Sequence, residues 1–127
     1  MTRLRSAAFQ EPEGDAIRCG LCPHHCRIRE GGRGRCGVRE VRDGCLVSLV
    51  WGRPVALAVD PVEKKPFYHF HPGASCLSLA TVGCNLDCDY CQNHSLSRGR
   101  PGLERGPQVQ PREVVEEALL RGVDILA

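Results

Sequence analysis

Three cysteines within eight positions, Cys84, Cys88 and Cys91 in the stretch GCNLDCDYCQN, constrain this chain more than any other feature. A C-x3-C-x2-C spacing puts three soft thiolates on one tight loop, where they can converge on a single metal centre and leave a coordination position open. A structural zinc site is closed by four ligands. Zinc therefore requires a further ligand here, for which His94 and Cys76 lie near in sequence. A disulfide pair leaves one thiol over and needs an oxidising compartment. A four-iron cluster meets the count differently: three irons take the thiolates, and the fourth stays free for a substrate or cofactor.

The chain carries nine cysteines, an odd number that fits poorly with a complete disulfide framework. No apolar run approaches the length that crosses a bilayer, and the first residues, MTRLRSAAFQEPEGD, lack the apolar core of a signal peptide. The expectation is a cytoplasmic protein with no membrane partner, whose thiols are kept reduced and whose cysteine clusters bind metal. At 127 residues the chain suffices for one domain, or for a small module joined to part of a larger one. With 42% hydrophobic and 25% charged residues it is not of low complexity. Arg27, Arg29, Arg33, Arg35, Arg39 and Arg42 crowd together but alternate with Glu30, Glu40 and Asp43, and the net charge is only +2. That is the pattern of a solvated charged surface, so no nucleic-acid partner is expected.

Along the chain, residues 1–18 read as a weakly ordered lead with a turn at QEPEGD, on account of Pro12, Gly14 and Asp15. A first cysteine group follows, Cys19, Cys22, Cys26 and Cys36, in glycine-rich, turn-forming sequence. The β-prone runs CLVSLVW (45–51) and PVALAVD (54–60), separated by Gly52-Arg53, predict an antiparallel hairpin. The connector PVEKKPFYHFHPGAS leads to CLSLATVG, whose apolar residues alternate onto both faces, as in a strand buried on both sides of a parallel sheet. After the three-cysteine loop and the turn-rich SRGRPGLERGPQ, the segment QPREVVEEALLRG predicts a helix. Pro111 lies at its first turn with Glu113 beside it, Val114, Val115, Ala118 and Leu119 form a stripe, and Gly122 stops it. With VDILA as a second strand this is a βαβ crossover. Two strands and one helix cannot cover such a sheet, so the expected class is α/β. The expected division is a Cys-rich, β-containing module over 1–72 and a first, incomplete βαβ unit over 73–127, the N-terminal piece of a larger domain.

Three blocks in order, CGLCPHHCRIREGGRGRCGVRE, DPVEKKPFYHFHPG and TVGCNLDCDYCQNHSLS, resemble the AmmeMemoRadiSam-system radical S-adenosylmethionine (SAM) enzymes, often labelled pyruvate formate-lyase activating enzyme-like. The likeness covers almost everything after about residue 17. It implies that Cys84, Cys88 and Cys91 hold a [4Fe-4S] cluster whose open iron chelates SAM. An electron passed through the cluster, from a donor such as flavodoxin or ferredoxin, would cleave SAM to methionine and a 5′-deoxyadenosyl radical that abstracts hydrogen from a substrate. The resemblance also implies the start of a partial (β/α) radical SAM barrel, and an association with Memo-like or AMMECR-like proteins. Tyr90 would lie against the adenine of SAM by stacking, the alternative being a core-packing tyrosine. Family members continue beyond the second strand with more of the SAM site, so this chain alone is expected to hold a cluster at best and not to turn over. No residue of the chain is assigned a catalytic role.

The first cysteine group supplies four thiolates, enough for a tetrahedral zinc site or a second iron-sulfur cluster, with His24 and His25 as substitutes for one of them. Reduced, unliganded thiols are the alternative. Cys45 and Cys76, in apolar β-prone runs, read as small buried residues. The loop EKKPFYHFHPG borders the active site in one reading and is a surface connector with aromatics tucked beneath it in the other. Two further functions stay open: a zinc-binding interaction module with RNA or a protein as partner, and a ferredoxin-like electron carrier, which needs four cysteine ligands per cluster.

Overall fold

The structure, a computed structural model, describes residues 4–99 and 108–127. Residues 1–3 of the lead and 100–107 of the turn-rich stretch lie outside it. The described chain forms two compact units, one built from residues 4–51 with 82–99 and the other from 52–81 with 108–127.

Tight turns set the first unit. Strands β1 (Arg5–Ser6), β2 (Gln10–Glu13), β3 (Ala16–Cys19) and β4 (Arg27–Arg29) come first, with β2, β3 and β4 forming one antiparallel sheet. Gly14, at φ 63°, opens the two-residue turn between β2 and β3, where a side chain would strain the backbone. In β3, Ala16, Ile17 and Cys19 are buried and Arg18 is exposed, and Ile17 faces Ile28 on β4. Strands β5 (Arg39–Arg42) and β6 (Cys45–Ser48) make a second antiparallel sheet in the order β1-β6-β5. Their turn is Asp43-Gly44, with φ of 51° and 68°, the two positive values that a two-residue hairpin turn demands. The Glu30 carboxylate accepts both turn N–H groups, at 2.8 and 2.9 Å. A short helix, α1 (His94–Ser97), follows the three-cysteine loop.

Between these sheets lies a small core of Ala7, Ile17, Cys19, Ile28, Val41 and Leu46, with Cys26 packed against it. The arginine crowd is neutralised in place. Asp15 takes Arg27 and Arg29, and Glu40, only 7% exposed, takes Arg33 at 2.6 Å and also Arg42.

In the second unit β7 (Ala56–Pro61) runs antiparallel to β8 (Ser75–Ala80), with a 3₁₀ turn at Val62–Lys64 between them. Helix α2 (Pro111–Leu120) leads to β9 (Ile125–Leu126), which lies parallel to β8 through two residue pairs. Proline at the first helical position costs α2 nothing, since that N–H has no partner within a helix. The Glu113 carboxylate accepts the Gln110 N–H at 2.6 Å. At the other end Gly122 adopts φ 65°, and the Val123 N–H returns to the Ala118 carbonyl at 3.0 Å. Val114 and Ala118, one turn apart, pack with Leu77 and Val123, whereas Val115 and Leu119 are exposed.

Several expectations are overturned. The chain is a small β-rich protein and not the opening of a (β/α) barrel. Among the described residues, nine short strands make three three-stranded sheets, every pairing of these strands is antiparallel save β8 with β9, and there are two short α-helices. A parallel barrel needs parallel neighbours on both sides of a strand, and the neighbour of β8 across six residue pairs is the antiparallel β7. Only Cys76 and Leu77 of β8 are buried, while Leu79 is 36% exposed. The run 45–51 does not pair with 54–60. Its strand β6 turns back on β5 through Asp43-Gly44, and β7 pairs with β8. Half of the lead, expected to be weakly ordered, forms strands β1 to β3. In the connector, Phe67, Tyr68 and Phe70 are more than half exposed rather than tucked under, Phe67 meeting Phe70 edge-on at 6.2 Å. Among the described residues no helix is long and apolar enough to cross a membrane.

Glu40 generates a pH prediction. Hydrogen bonding from Arg42, and then from Arg33, holds its carboxyl below the ordinary value of 4.5. Its contribution is therefore complete above the unfolded pKa and is lost as pH falls through the lower folded value. The urea midpoint should drop as pH is taken from about 5 to about 3. Glu40→Gln should lose about 1–2 kcal/mol at neutral pH and flatten that acid limb. An acid limb as steep in Glu40→Gln as in the parent chain removes Glu40 from the account.

Candidate metal centre

The three-cysteine loop belongs to the first unit and is closed at its base. Val82 is buried, and the Gly83 N–H donates to the Leu96 carbonyl in α1 at 2.9 Å. Within the loop, the Leu86 N–H, two residues on, donates to Cys84 Sγ at 3.4 Å, and the Cys91 N–H meets the Cys88 carbonyl at 3.4 Å. Cys91 Sγ lies 3.5 Å from the Ser97 hydroxyl. That hydroxyl, then the Asn93 backbone N–H, with the Arg98 charge nearby, holds the Cys91 thiol below its ordinary value. All three thiols are free and half-buried. An N–H or O–H aimed at sulfur stabilises a thiolate over a thiol, the form in which cysteine ligates metal.

The first cysteine group sits in the same unit. Cys19 ends β3 and Cys26 precedes β4, so the two face each other across the hairpin, with the Cys19 N–H on the Cys26 carbonyl at 2.9 Å. Cys19 Sγ accepts from the Arg39 guanidinium and Cys26 Sγ from the Arg35 N–H, each at 3.4 Å. Cys22 lies in the intervening turn, which the His25 N–H closes on the Cys22 carbonyl at 3.1 Å. Cys36 lies in a turn closed from the Gly37 N–H to the Gly34 carbonyl at 2.9 Å.

These two groups, far apart in sequence, are neighbours. His24 Nε2 is 2.7 Å from the Asn85 carbonyl, so that nitrogen carries a proton and donates it. Gly83 packs against the turn at 36–38: a Cβ there would stand 2.9 Å from the Cys36 carbonyl oxygen and collide with Val38. Cys36 and Cys84 both border a cavity of about 440 Å³, lined also by Leu86 and Ser97 and by the charged residues Arg33, Arg35, Arg98 and Asp87. Arg33 is paired with Glu40 and Arg98 with Asp87, while Arg35 has no carboxylate partner among the described residues.

The remaining sequence candidates divide clearly. Tyr90 is 91% exposed, which removes the core-packing alternative and leaves its ring open on the loop. His24 is engaged through Nε2, and His25 and His94 are exposed. Cys76 is fully buried in the second unit beside the Ser78 hydroxyl, and Cys45 is half-buried beside the Ser6 hydroxyl. The sequence did not disclose the sulfur-facing donors at Leu86, Ser97, Arg35 and Arg39. Only Leu86 had a local signal, its N–H lying two residues beyond a cysteine.

The donor set suits an iron-sulfur cluster on Cys84, Cys88 and Cys91: three free thiols on one loop, two of them with donors already in place. Among the described residues no three Cys, His, Asp or Glu side chains are gathered at the spacing of a single ion.

In comparisons with known proteins, no family model and no solved structure matches this chain. It is 43% identical over 117 residues to a protein of Methanocaldococcus jannaschii that is itself described as uncharacterized. That likeness takes in 91% of this chain and 35% of the relative, so the chain spans about a third of the length of the protein it matches.

Gly83→Ala should cost about 1–3 kcal/mol, because neither a backbone carbonyl nor Val38 can yield cheaply. It should also shift the His24 ring resonances, as Asn85 is displaced. Gly37→Ala, at a positive φ but with nothing within 4 Å, should cost only about 1 kcal/mol and leave His24 unmoved. Equal losses in urea unfolding would dispose of the close-approach argument.

Proposed function

We propose that this chain carries the cluster-binding segment of a radical SAM enzyme, with Cys84, Cys88 and Cys91 as the three protein ligands of a [4Fe-4S] cluster. The observation that carries this reading is the loop itself. It offers three free thiols and not four, with Leu86 N–H on Cys84 Sγ and the Ser97 hydroxyl beside Cys91 Sγ. A three-thiolate set leaves one iron for a small-molecule ligand, which an electron carrier has no use for. When bound, the cluster supplies the electron that breaks the sulfonium C–S bond of SAM and releases a 5′-deoxyadenosyl radical.

The chain's own residues bind and position. Gly83 lets the loop lie against the turn at 36–38, and the Gly83 N–H ties its base to α1. Arg35, on the wall of the cavity that Cys84 lines, brings a positive charge of the sign that attracts the carboxylate of an amino-acid ligand. Tyr90 offers an exposed ring against which a purine can stack. An electron donor of the flavodoxin or ferredoxin kind completes the reading, and the hydrogen donor is a substrate of a class these residues leave open.

Anaerobic reconstitution with iron and sulfide tests it. About four irons per loop are expected, lost when Cys84, Cys88 and Cys91 are all replaced by serine, with an electron paramagnetic resonance signal of the reduced cluster that SAM perturbs. Iron that survives the triple replacement overturns the ligand assignment. A cluster signal indifferent to SAM supports the electron carrier instead, and zinc with no iron supports an interaction module.

A further inference from the structure

Cys19 and Cys26 stand directly opposite one another, one position beyond the Arg18–Arg27 pair that closes the β3–β4 ladder. Side chains opposite each other in an antiparallel ladder leave on the same face, their Cβ atoms about 4.5–5.5 Å apart. A tetrahedral zinc with Zn–S bonds of about 2.3 Å holds its sulfurs about 3.8 Å from one another. Rotation about the two Cα–Cβ bonds spans that difference without moving the backbone. The facing pair can therefore supply two ligands to one ion.

Two more thiols are carried on the turns that border the pair, Cys22 between the strands and Cys36 in the turn at 34–37, and since no three of the four stand at single-ion spacing beforehand, side-chain rotation on metal binding is what must gather them. The second turn lies over the Cys26 sulfur. The Arg35 N–H donates to it, and a Cβ on Gly34 would stand 3.8 Å from it and 3.2 Å from Ile28 Cδ1. A side chain at position 34 would require Ile28 to give way by a few tenths of an ångström. Both facing sulfurs thus have an N–H donor, from Arg35 and from the Arg39 guanidinium. Donors trained on sulfur spread the negative charge of a metal-bound thiolate and have little to offer a neutral thiol.

We infer that Cys19, Cys22, Cys26 and Cys36 form a second metal centre, a closed four-thiolate zinc site separate from Cys84, Cys88 and Cys91. Its role is structural: it clamps the β3–β4 hairpin to the turn at 34–37, in a unit whose apolar core is small. The inference does not depend on what the other loop binds. Cys36 is the residue on which it turns, because that side chain also borders the cavity lined by Cys84.

The test is zinc analysis of chain purified anaerobically without added iron, followed by titration of the metal-free chain with cobalt(II). About one zinc per chain is expected, along with a cobalt adduct showing tetrahedral d–d bands and sulfur-to-cobalt charge transfer of a four-thiolate site. Both should be unchanged when Cys84, Cys88 and Cys91 are replaced by serine. Because Cys19 and Cys26 touch the core, the diagnostic variants are Cys22→Ser and Cys36→Ser on the turns, with circular dichroism to check that the sheets persist. Each should weaken zinc binding at least about tenfold and shift the cobalt bands. Absence of zinc together with absence of a four-thiolate cobalt spectrum overturns the inference. So does zinc that disappears with the Cys84, Cys88 and Cys91 replacements, zinc binding unmoved by Cys36→Ser, or iron in place of zinc at the first group.

Discussion

A Cβ on residue 83 would stand 2.9 Å from the carbonyl oxygen of Cys36, closer than real side chains approach a backbone oxygen. Residues 82–86 reach the turn at 34–38 only because that position is glycine, at a φ of 97° that suits no other residue well. The meeting of the two cysteine groups within the first unit depends on this contact. It brings Cys84 and Cys36 to one cavity, sets Asn85 within reach of His24, and leaves the Cys84 sulfur facing the Leu86 N–H. Hydrophobic burial alone would not fix such an arrangement, since the core holds only a handful of small and medium side chains. Backbone approach and N–H···S bonding supply the specificity that the core lacks.

Charge is handled in the same local fashion. Six arginines crowd one stretch of sequence, yet the folded chain meets four of them with carboxylates: Asp15 is shared by Arg27 and Arg29, Glu40 by Arg33 and Arg42, and Glu13 lies 3.5 Å from Arg27. Arg39 spends its guanidinium on the Ala8 carbonyl and the Cys19 sulfur. What remains near the cavity is Arg35. A basic-looking sequence therefore yields no basic face: of the six, only Arg35 and Arg39 lack a carboxylate partner among the described residues.

The parts of this architecture that the sequence disclosed are those with local causes. Helix α2 was legible from Pro111, Glu113 and Gly122, because capping and stop signals act within one turn. The three-cysteine loop was legible from spacing alone. Pairing partners were not: β6 turns back on β5 because Asp43-Gly44 can take two positive φ values, and Glu30, from another part of the chain, fixes both turn amides. An Asp-Gly pair between β-prone runs is itself a hairpin signal, and Gly52-Arg53 between two such runs is a competing one. The expected barrel failed for a similar reason. A strand, helix and strand in sequence say nothing of who occupies the other edge of the first strand, and there β7 lies antiparallel. Proximity of the two cysteine groups is a tertiary fact with no local trace.

The first unit is discontinuous: residues 52–81 belong elsewhere, and the unit is finished only by residues 82–99. During synthesis, the hairpins up to residue 51 emerge without the loop that packs on their turn at 34–38, and the hydrogen bond between His24 and Asn85 waits on a contact of long sequence separation. Closing a loop of that length costs on the order of 3 kcal/mol in chain entropy, spent before Gly83 returns any packing. Contacts of this kind slow folding. Completion of the unit therefore waits until residues 82–99 have been made, although Cys19 and Cys26 already have their core neighbours among residues 7–46.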